Sequence, residues 1–171
     1  VEAIKDKVQQ LISFYNLLPH PEGGYYRQTF KSSISIDGKY FSIDFEGERA
    51  ASTAIYFLLN ESNFSAFHRI KSDELWHFYA GDALNIYVID IDGNFEIIKL
   101  GNNYPNGESF QAVVKAGSWF ASAPVNNKSH SFVGCTVAPG FDFQDFELAE
   151  RDKLIALFPQ HKSIITSFTR I

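Results

Sequence analysis

The sequence predicts an all-β sandwich or barrel with a helix at each end. Short alternating or apolar runs fill the middle of the chain, separated by turn signals at Asp37-Gly38, Asp92-Gly93, Asn106-Gly107 and Pro139-Gly140. Aromatics are abundant, with 17 Phe and 8 Tyr but no Met, and flat rings pack well across strands. Both ends of the chain show helical spacing instead.

At the amino end, Ile4, Val8, Leu11, Ile12 and Tyr15 share one face of an amphipathic helix over about residues 2–15, which stops before Pro19. Strands follow in "YYRQTF", "STAIYFLL", "SAFHRI", "ELWHFYAG", "LNIYVID", "FEIIKL", "FQAVVKAG", "WFASA" and "HSFVGCTVA", a barrel over about 24–146. "IDIDGNFEI" is a hairpin whose tight turn needs positive φ. Leu148, Leu154, Leu157 and Phe158 then return to helical spacing, Pro159 stops them, and a short helix around "SIITSF" completes a helical tail over about 148–168. With no linker or repeat, the 171 residues read as a single domain, 1–171.

A net charge of -5 and a pI near 5.5 argue against nucleic acid as a partner. No run of basic residues suits an anionic membrane, and no stretch approaches the ~20 apolar residues of a span. The amino end reads as neither a signal nor a transit peptide, so the expected location is cytoplasmic. The single cysteine, Cys135, excludes an intrachain disulfide and fits a reducing compartment. In "FVGCTVA" it reads as a buried, inert thiol.

The chemistry-bearing stretch is "FHRIKSDELWHFYAG". In a strand His68 and Ile70 share one face, and after the turn "KSD" the next strand puts Glu74, Trp76 and Phe78 on one face, with His77 on the other. Turned inward, Glu74 comes near His68 across a hairpin. His130 is the third polar candidate, with a surface-loop residue as the alternative reading. Two imidazoles and a carboxylate, His68, Glu74 and His130, would form a ligand set for one divalent Fe, Mn or Zn ion. His77 reads as a packed or interface histidine, and His161 as a tail residue. In "HPEGG" the paired glycines make a turn, from which Glu22 or Arg27 could reach the barrel mouth. Arg27 would suit bidentate binding of a carboxylate or phosphate. Trp76 and Trp119 are large inward candidates that would shape a pocket for a planar or sugar-like ligand. "PGFDFQDFEL" reads as barrel wall or dimer edge. The motifs of serine hydrolases, P-loop proteins, dinucleotide folds and paired-cysteine zinc sites do not occur.

His68, Ile70, Glu74 and Gly81 resemble the later part of the first cupin motif, H-x-H-x3-E-x6-G, with Ile70 in place of its second histidine. Gly117, Pro124 and His130 resemble the second motif more loosely. "HPEGGYYRQTF", "SAFHRIKSDELWHFYAGDAL" and "VAPGFDFQDFELA" are similar to the cupin subfamily Cupin_5 (DUF985) over nearly the whole chain. That resemblance implies a double-stranded β-helix, an RmlC-like jelly roll related in shape to dTDP-sugar epimerases, and a homodimer.

Two functions follow as expectations. One is a small-molecule enzyme acting on a sugar derivative or small acid. In its epimerase-like form His68 is the general base, poised by Glu74, with Tyr25, Tyr26 and Tyr56 as candidate acids. In its metal-assisted form His68, Glu74 and His130 hold the ion. The other function is a non-catalytic ligand-binding or storage-type cupin.

Overall fold

Two antiparallel sheets enclose the core of the protein in a computed structural model that describes residues 2–41, 45–61, 63–126 and 129–170. Helix α1 (Glu2–Tyr15) comes first, and Val8, Leu11, Ile12 and Tyr15 lie against Leu17, Leu58 and Phe132. The Ile4 side chain lies outside the described residues. Asn16, at φ 52°, ends the helix in the left-handed region while Leu17 N–H bonds back to the Ile12 carbonyl at 2.9 Å. The stop therefore precedes Pro19.

In chain order the strands are β1 (Leu18–Pro19), β2 (Tyr25–Lys31), β3 (Ser35–Asp37), β4 (Glu48–Ala50), β5 (Thr53–Leu59), β6 (Ser65–Arg69), β7 (Asp73–Gly81), β8 (Leu84–Ile89), β9 (Phe95–Leu100), β10 (Gln111–Val114), β11 (Trp119–Pro124), β12 (Ser131–Ala138) and β13 (Glu147–Leu148). One sheet has the order β1-β2-β5-β12-β7-β10 and the facing sheet β13-β6-β11-β8-β9, while β3 and β4 form a separate hairpin. From β5 to β8 and from β9 to β13 successive strands alternate between the two sheets, the connectivity of a jelly roll, and the all-β expectation is met. The β8–β9 hairpin turns at Gly93 (φ 84°), where the Asp90 carboxylate accepts from the backbone N–H groups of Asp92 and Asn94 at 2.9 and 2.8 Å.

One sequence expectation changes here. β6 pairs with β11 and β13, and β7 with β12 and β10, so His68 and Glu74 do not face each other across a hairpin. Residues 70–72 carry the chain from one sheet to the other, and the two side chains border one cavity in the sandwich interior instead.

Period-two alternation sorts the strand residues. Phe57, Trp76, Val133, Cys135, Ile86 and Phe120 turn inward and fill the space between the sheets. Phe57 and Trp76 meet edge to face at 6.0 Å, and each such buried ring stabilises the fold by roughly 1.5–3 kcal/mol. Helices α2 (Arg151–Leu157) and α3 (Lys162–Ser167) cover the outer face of the five-stranded sheet through Leu154 and Ile165. Helix α1 covers part of the outer face of the other sheet. No helix among the described residues is long and apolar enough to cross a membrane.

Candidate active site

A glycine turn delivers two polar side chains that no strand supplies. His20 N–H bonds to the Gly24 carbonyl and Gly23 N–H to the His20 carbonyl, both at 3.0 Å. Gly23 and Gly24 have φ of 115° and 76°, and a Cβ on Gly23 would strike the Phe64 carbonyl. Ala66 N–H donates to the Glu22 carbonyl at 2.9 Å and straps the turn onto β6. Glu22 and His20 thereby reach the sandwich interior beside His68.

Three of these groups share one carboxyl oxygen's surroundings. His68 Nδ1 lies 2.7 Å from the Ala66 carbonyl, which has no proton to give, so Nδ1 carries the ring proton. Its Nε2 lies 3.1 Å from Glu22 Oε2, and His20 Nδ1 lies 3.4 Å from the same oxygen. Glu22 Oε1 accepts from the Ser65 hydroxyl at 2.9 Å. A close contact between Glu22 Oε2 and a bare Nε2 requires one proton between them. Burial, then the nearby Glu74 charge, holds the Glu22 carboxyl well above the usual carboxylate range, with the Ser65 hydrogen bond opposing. Burial lowers His68 to about 3 against the Ala66 hydrogen bond, and His20 nearby lowers it further. The proton therefore rests on Glu22 and is donated to His68, giving a neutral acid beside a neutral imidazole.

Glu74 faces this pair from β7. Its Oε2 accepts from the Trp76 indole N–H at 3.1 Å, and the Cys135 thiol donates to the same carboxyl. Burial raises Glu74 to about 7, with those two hydrogen bonds opposing. The Cys135 thiol is pushed up by burial and by Glu74 and Glu22, which keeps it inert. His20, Glu22, His68 and Glu74 border a cavity of about 50 Å³. That is room for about four waters, or a ligand of about four or five non-hydrogen atoms. Its walls are largely aromatic, with Tyr26, Phe57, Trp76, Phe141 and Phe146, and among the described residues no Arg or Lys lines it. Ile70 and Phe146 also border an open cleft of about 320 Å³ on their other side. The Phe146 segment is anchored by Asp145, whose carboxylate accepts from Arg49 Nε and Nη2 at 2.6 and 2.8 Å.

A sequence profile described as the cupin superfamily family Cupin_5 (DUF985) matches residues 9–149. The chain belongs to that family. This cupin is 30% identical to the uncharacterized protein YML079W of Saccharomyces cerevisiae, over 94% of this chain and 85% of that one. Among solved structures it is similar to protein SO0799 of Shewanella oneidensis, with 38% identity, a TM-score of 0.85 and coverage of 95% and 96% of the two chains. A hypothetical protein from Leishmania major gives 33%, 0.86, 95% and 98%. Oxalate decarboxylase of Bacillus subtilis shares the fold alone, at 13% identity and a TM-score of 0.53 over 88% of this chain and 36% of that one.

The remaining sequence candidates of the cupin fall in several places. His130 precedes β12, where Ser131 pairs with Gly81, whereas Glu74 pairs with Val137 near the strand's far end. That separation is about 20 Å of extended chain. His68, Glu74 and His130 thus do not converge, and among the described residues no group of three or more His, Cys, Asp or Glu side chains is arranged to hold a metal ion. The expected Fe, Mn or Zn ligand set does not fit, and Ile70 stands as an apolar wall of the cavity. Arg27 is exposed and faces away from the cavity that its neighbours Tyr26 and Gln28 line, so it offers no anion clamp there. Trp119 lies in the cluster beneath the carboxy-terminal helices, with the Arg69 guanidinium 4.6 Å above its ring, while Trp76 lines the cavity. Of the three tyrosines, Tyr26 lines the cavity, and Tyr25 and Tyr56 pack under α1. His77 bonds Thr136 at 3.0 Å and Gln111 at 3.2 Å on the outer sheet face, and His161 bonds the Gly93 carbonyl at 2.8 Å. Sequence reasoning missed His20, whose signal was its place one turn ahead of the paired glycines.

Proposed function

We propose that this cupin is a small-molecule enzyme of the isomerase or epimerase kind, moving a proton on carbon within the enclosed cavity. The observation that carries this reading is the 3.1 Å contact between Glu22 Oε2 and a His68 ring whose other nitrogen is fixed by the Ala66 carbonyl. An acid kept neutral beside a carboxyl held at about 7 is the pairing that acid–base chemistry at neutral pH requires. Glu74 is the base. Glu22 is the acid, and His68 keeps its proton on Oε2. Tyr26 and Trp76 shape the space for a small polar metabolite. With no Arg or Lys among the described residues of the walls, a small acid is a poorer fit than a sugar-like carbonyl or alcohol.

The test is incorporation of deuterium from D₂O at carbon, followed by proton NMR over a panel of small hydroxy, keto and aldehyde compounds. Wild type should exchange a member of the panel, and Glu22→Gln and Glu74→Gln should each slow that exchange about 100-fold or more. Exchange that survives both substitutions contradicts the reading. A panel member that binds in the cavity without exchanging turns it toward the ligand-binding alternative.

A further inference from the structure

We propose that the cavity takes a small uncharged carbonyl compound whose carbonyl oxygen is held by the Nε2–H of His20. This inference rests on the proton-transfer reading above and adds the substrate class and a residue that touches it. The His20 tautomer follows from its contacts. Glu22 N–H donates to His20 Nδ1 at 3.4 Å, so Nδ1 is the bare nitrogen and Nε2 carries the proton. Nδ1 is thus occupied by the Glu22 backbone N–H, whereas Nε2 bonds to no described residue, although the side chain is only 7% exposed and borders the cavity. A donor at the cavity wall with no protein partner is free to bond a ligand oxygen.

The ring is also held in place. Tyr26 meets it edge-on at 4.7 Å, Phe143 stacks on it at 6.0 Å, and the Gly23–Gly24 turn fixes its backbone. Burial lowers its pKa to about 4, so it stays a neutral donor near pH 7. The same walls select against charge. Burial among aromatic rings disfavours any ion, the Glu74 carboxylate would repel an anion, and among the described residues neither arginine nor lysine lines the cavity to offset it.

The step balances on these residues alone. The Glu74 carboxylate takes a proton from the carbon beside the carbonyl, so a C–H bond breaks and an O–H bond forms on Glu74. The electron pair moves through the new C=C bond to the carbonyl oxygen, and that negative charge faces His20 Nε2–H. Glu22 Oε2–H then returns a proton to carbon and the carbonyl re-forms. One proton has moved from Glu22 to Glu74, and solvent resets the pair.

The experiment uses three enolisable probes of similar size, hydroxyacetone, pyruvate and aminoacetone, with deuterium incorporation at pH 7 read by NMR. Wild type should exchange hydroxyacetone at least 100-fold above buffer and leave pyruvate at background. His20→Phe, which keeps a flat ring but no donor, should lose that exchange about 100-fold. His20→Gln, which restores an N–H donor, should recover part of it, with thermal melting curves showing both variants folded. Pyruvate or aminoacetone exchanging as fast as hydroxyacetone would overturn the uncharged class, and a fully active His20→Phe would overturn the role of His20. Either result leaves the Glu22–Glu74 reading standing. Exchange of none of the three probes would remove that reading, and this inference with it.

Discussion

Two histidines are buried to similar extents at opposite ends of the barrel, yet only one borders the candidate site. His68 is 3% exposed and His130 4%, and burial lowers the pKa of both. At the cavity end both His68 nitrogens are engaged, one by a carbonyl and one by a carboxyl that must share a proton with it. At the end beside α1, neither His130 nitrogen has a hydrogen-bond partner among the described residues, and Lys7 and Asp82 are its charged neighbours. Burial of an imidazole therefore does not mark the site. The mark is a second titratable group whose proton has nowhere else to go.

The largest effect should separate the two ends directly. Once an exchanging compound is known, His68→Gln should slow its deuterium incorporation about 100-fold, while His130→Gln leaves the rate within about twofold. Comparable losses in both variants would erase the distinction. Next in size is the anchor of the cavity wall. Arg49 and Asp145 are a buried, doubly bonded pair, and Arg49→Ala leaves the buried Asp145 carboxylate with the looser contact to Lys71 Nζ at 3.8 Å. Urea unfolding should show a loss of about 3–5 kcal/mol, and a loss below 1 kcal/mol would mean the pair anchors little.

A third test uses pH. Glu74 is raised from 4.5 to about 7, so the native state binds its proton more tightly than the unfolded chain does. Its contribution is fully present below about pH 4.5 and is lost as pH rises to about 7, a change of order 3 kcal/mol. Glu74→Gln should remove its share of the fall across pH 4.5 to 7, leaving the part that the raised Glu22 carboxyl contributes in the same sense, and an unchanged profile would count against the raised Glu74 carboxyl. His68 runs in the opposite sense, its neutral form costing stability as pH drops from 6.5 toward 3. The smallest effect belongs to α1. Asn16 holds positive φ, so Asn16→Ala should cost about 1 kcal/mol in thermal melting and leave exchange at the cavity untouched.

The strands were legible because their alternation and their Gly and Asp turns are local signals, and the β8–β9 hairpin falls where Asp92-Gly93 placed it. The site was legible only in part. His68, Glu74 and Ile70 share the cavity, and Glu22, set apart in "HPEGG", reaches it too. The pairing among them could not be read, since it depends on a crossover that puts β6 and β7 in different sheets. Spacing that looks like a hairpin and a sandwich crossover is the same string of residues. His130 and Trp119 misled for a related reason, because inward alternation says nothing of which end or which face of a sheet a side chain serves.

The central claim is the shared proton between Glu22 and His68, and it is open to direct observation. Long-range proton–nitrogen NMR on histidine-labelled protein reports the ionisation and tautomer of each ring. The expected result is a His68 ring that stays neutral, with its proton on Nδ1, from pH 8 down to about 4 and charges only near 3. In Glu22→Gln the Nε2 signal should shift while the tautomer is kept. A His68 that titrates near its ordinary value of 6.5, or that carries its proton on Nε2, would contradict the account.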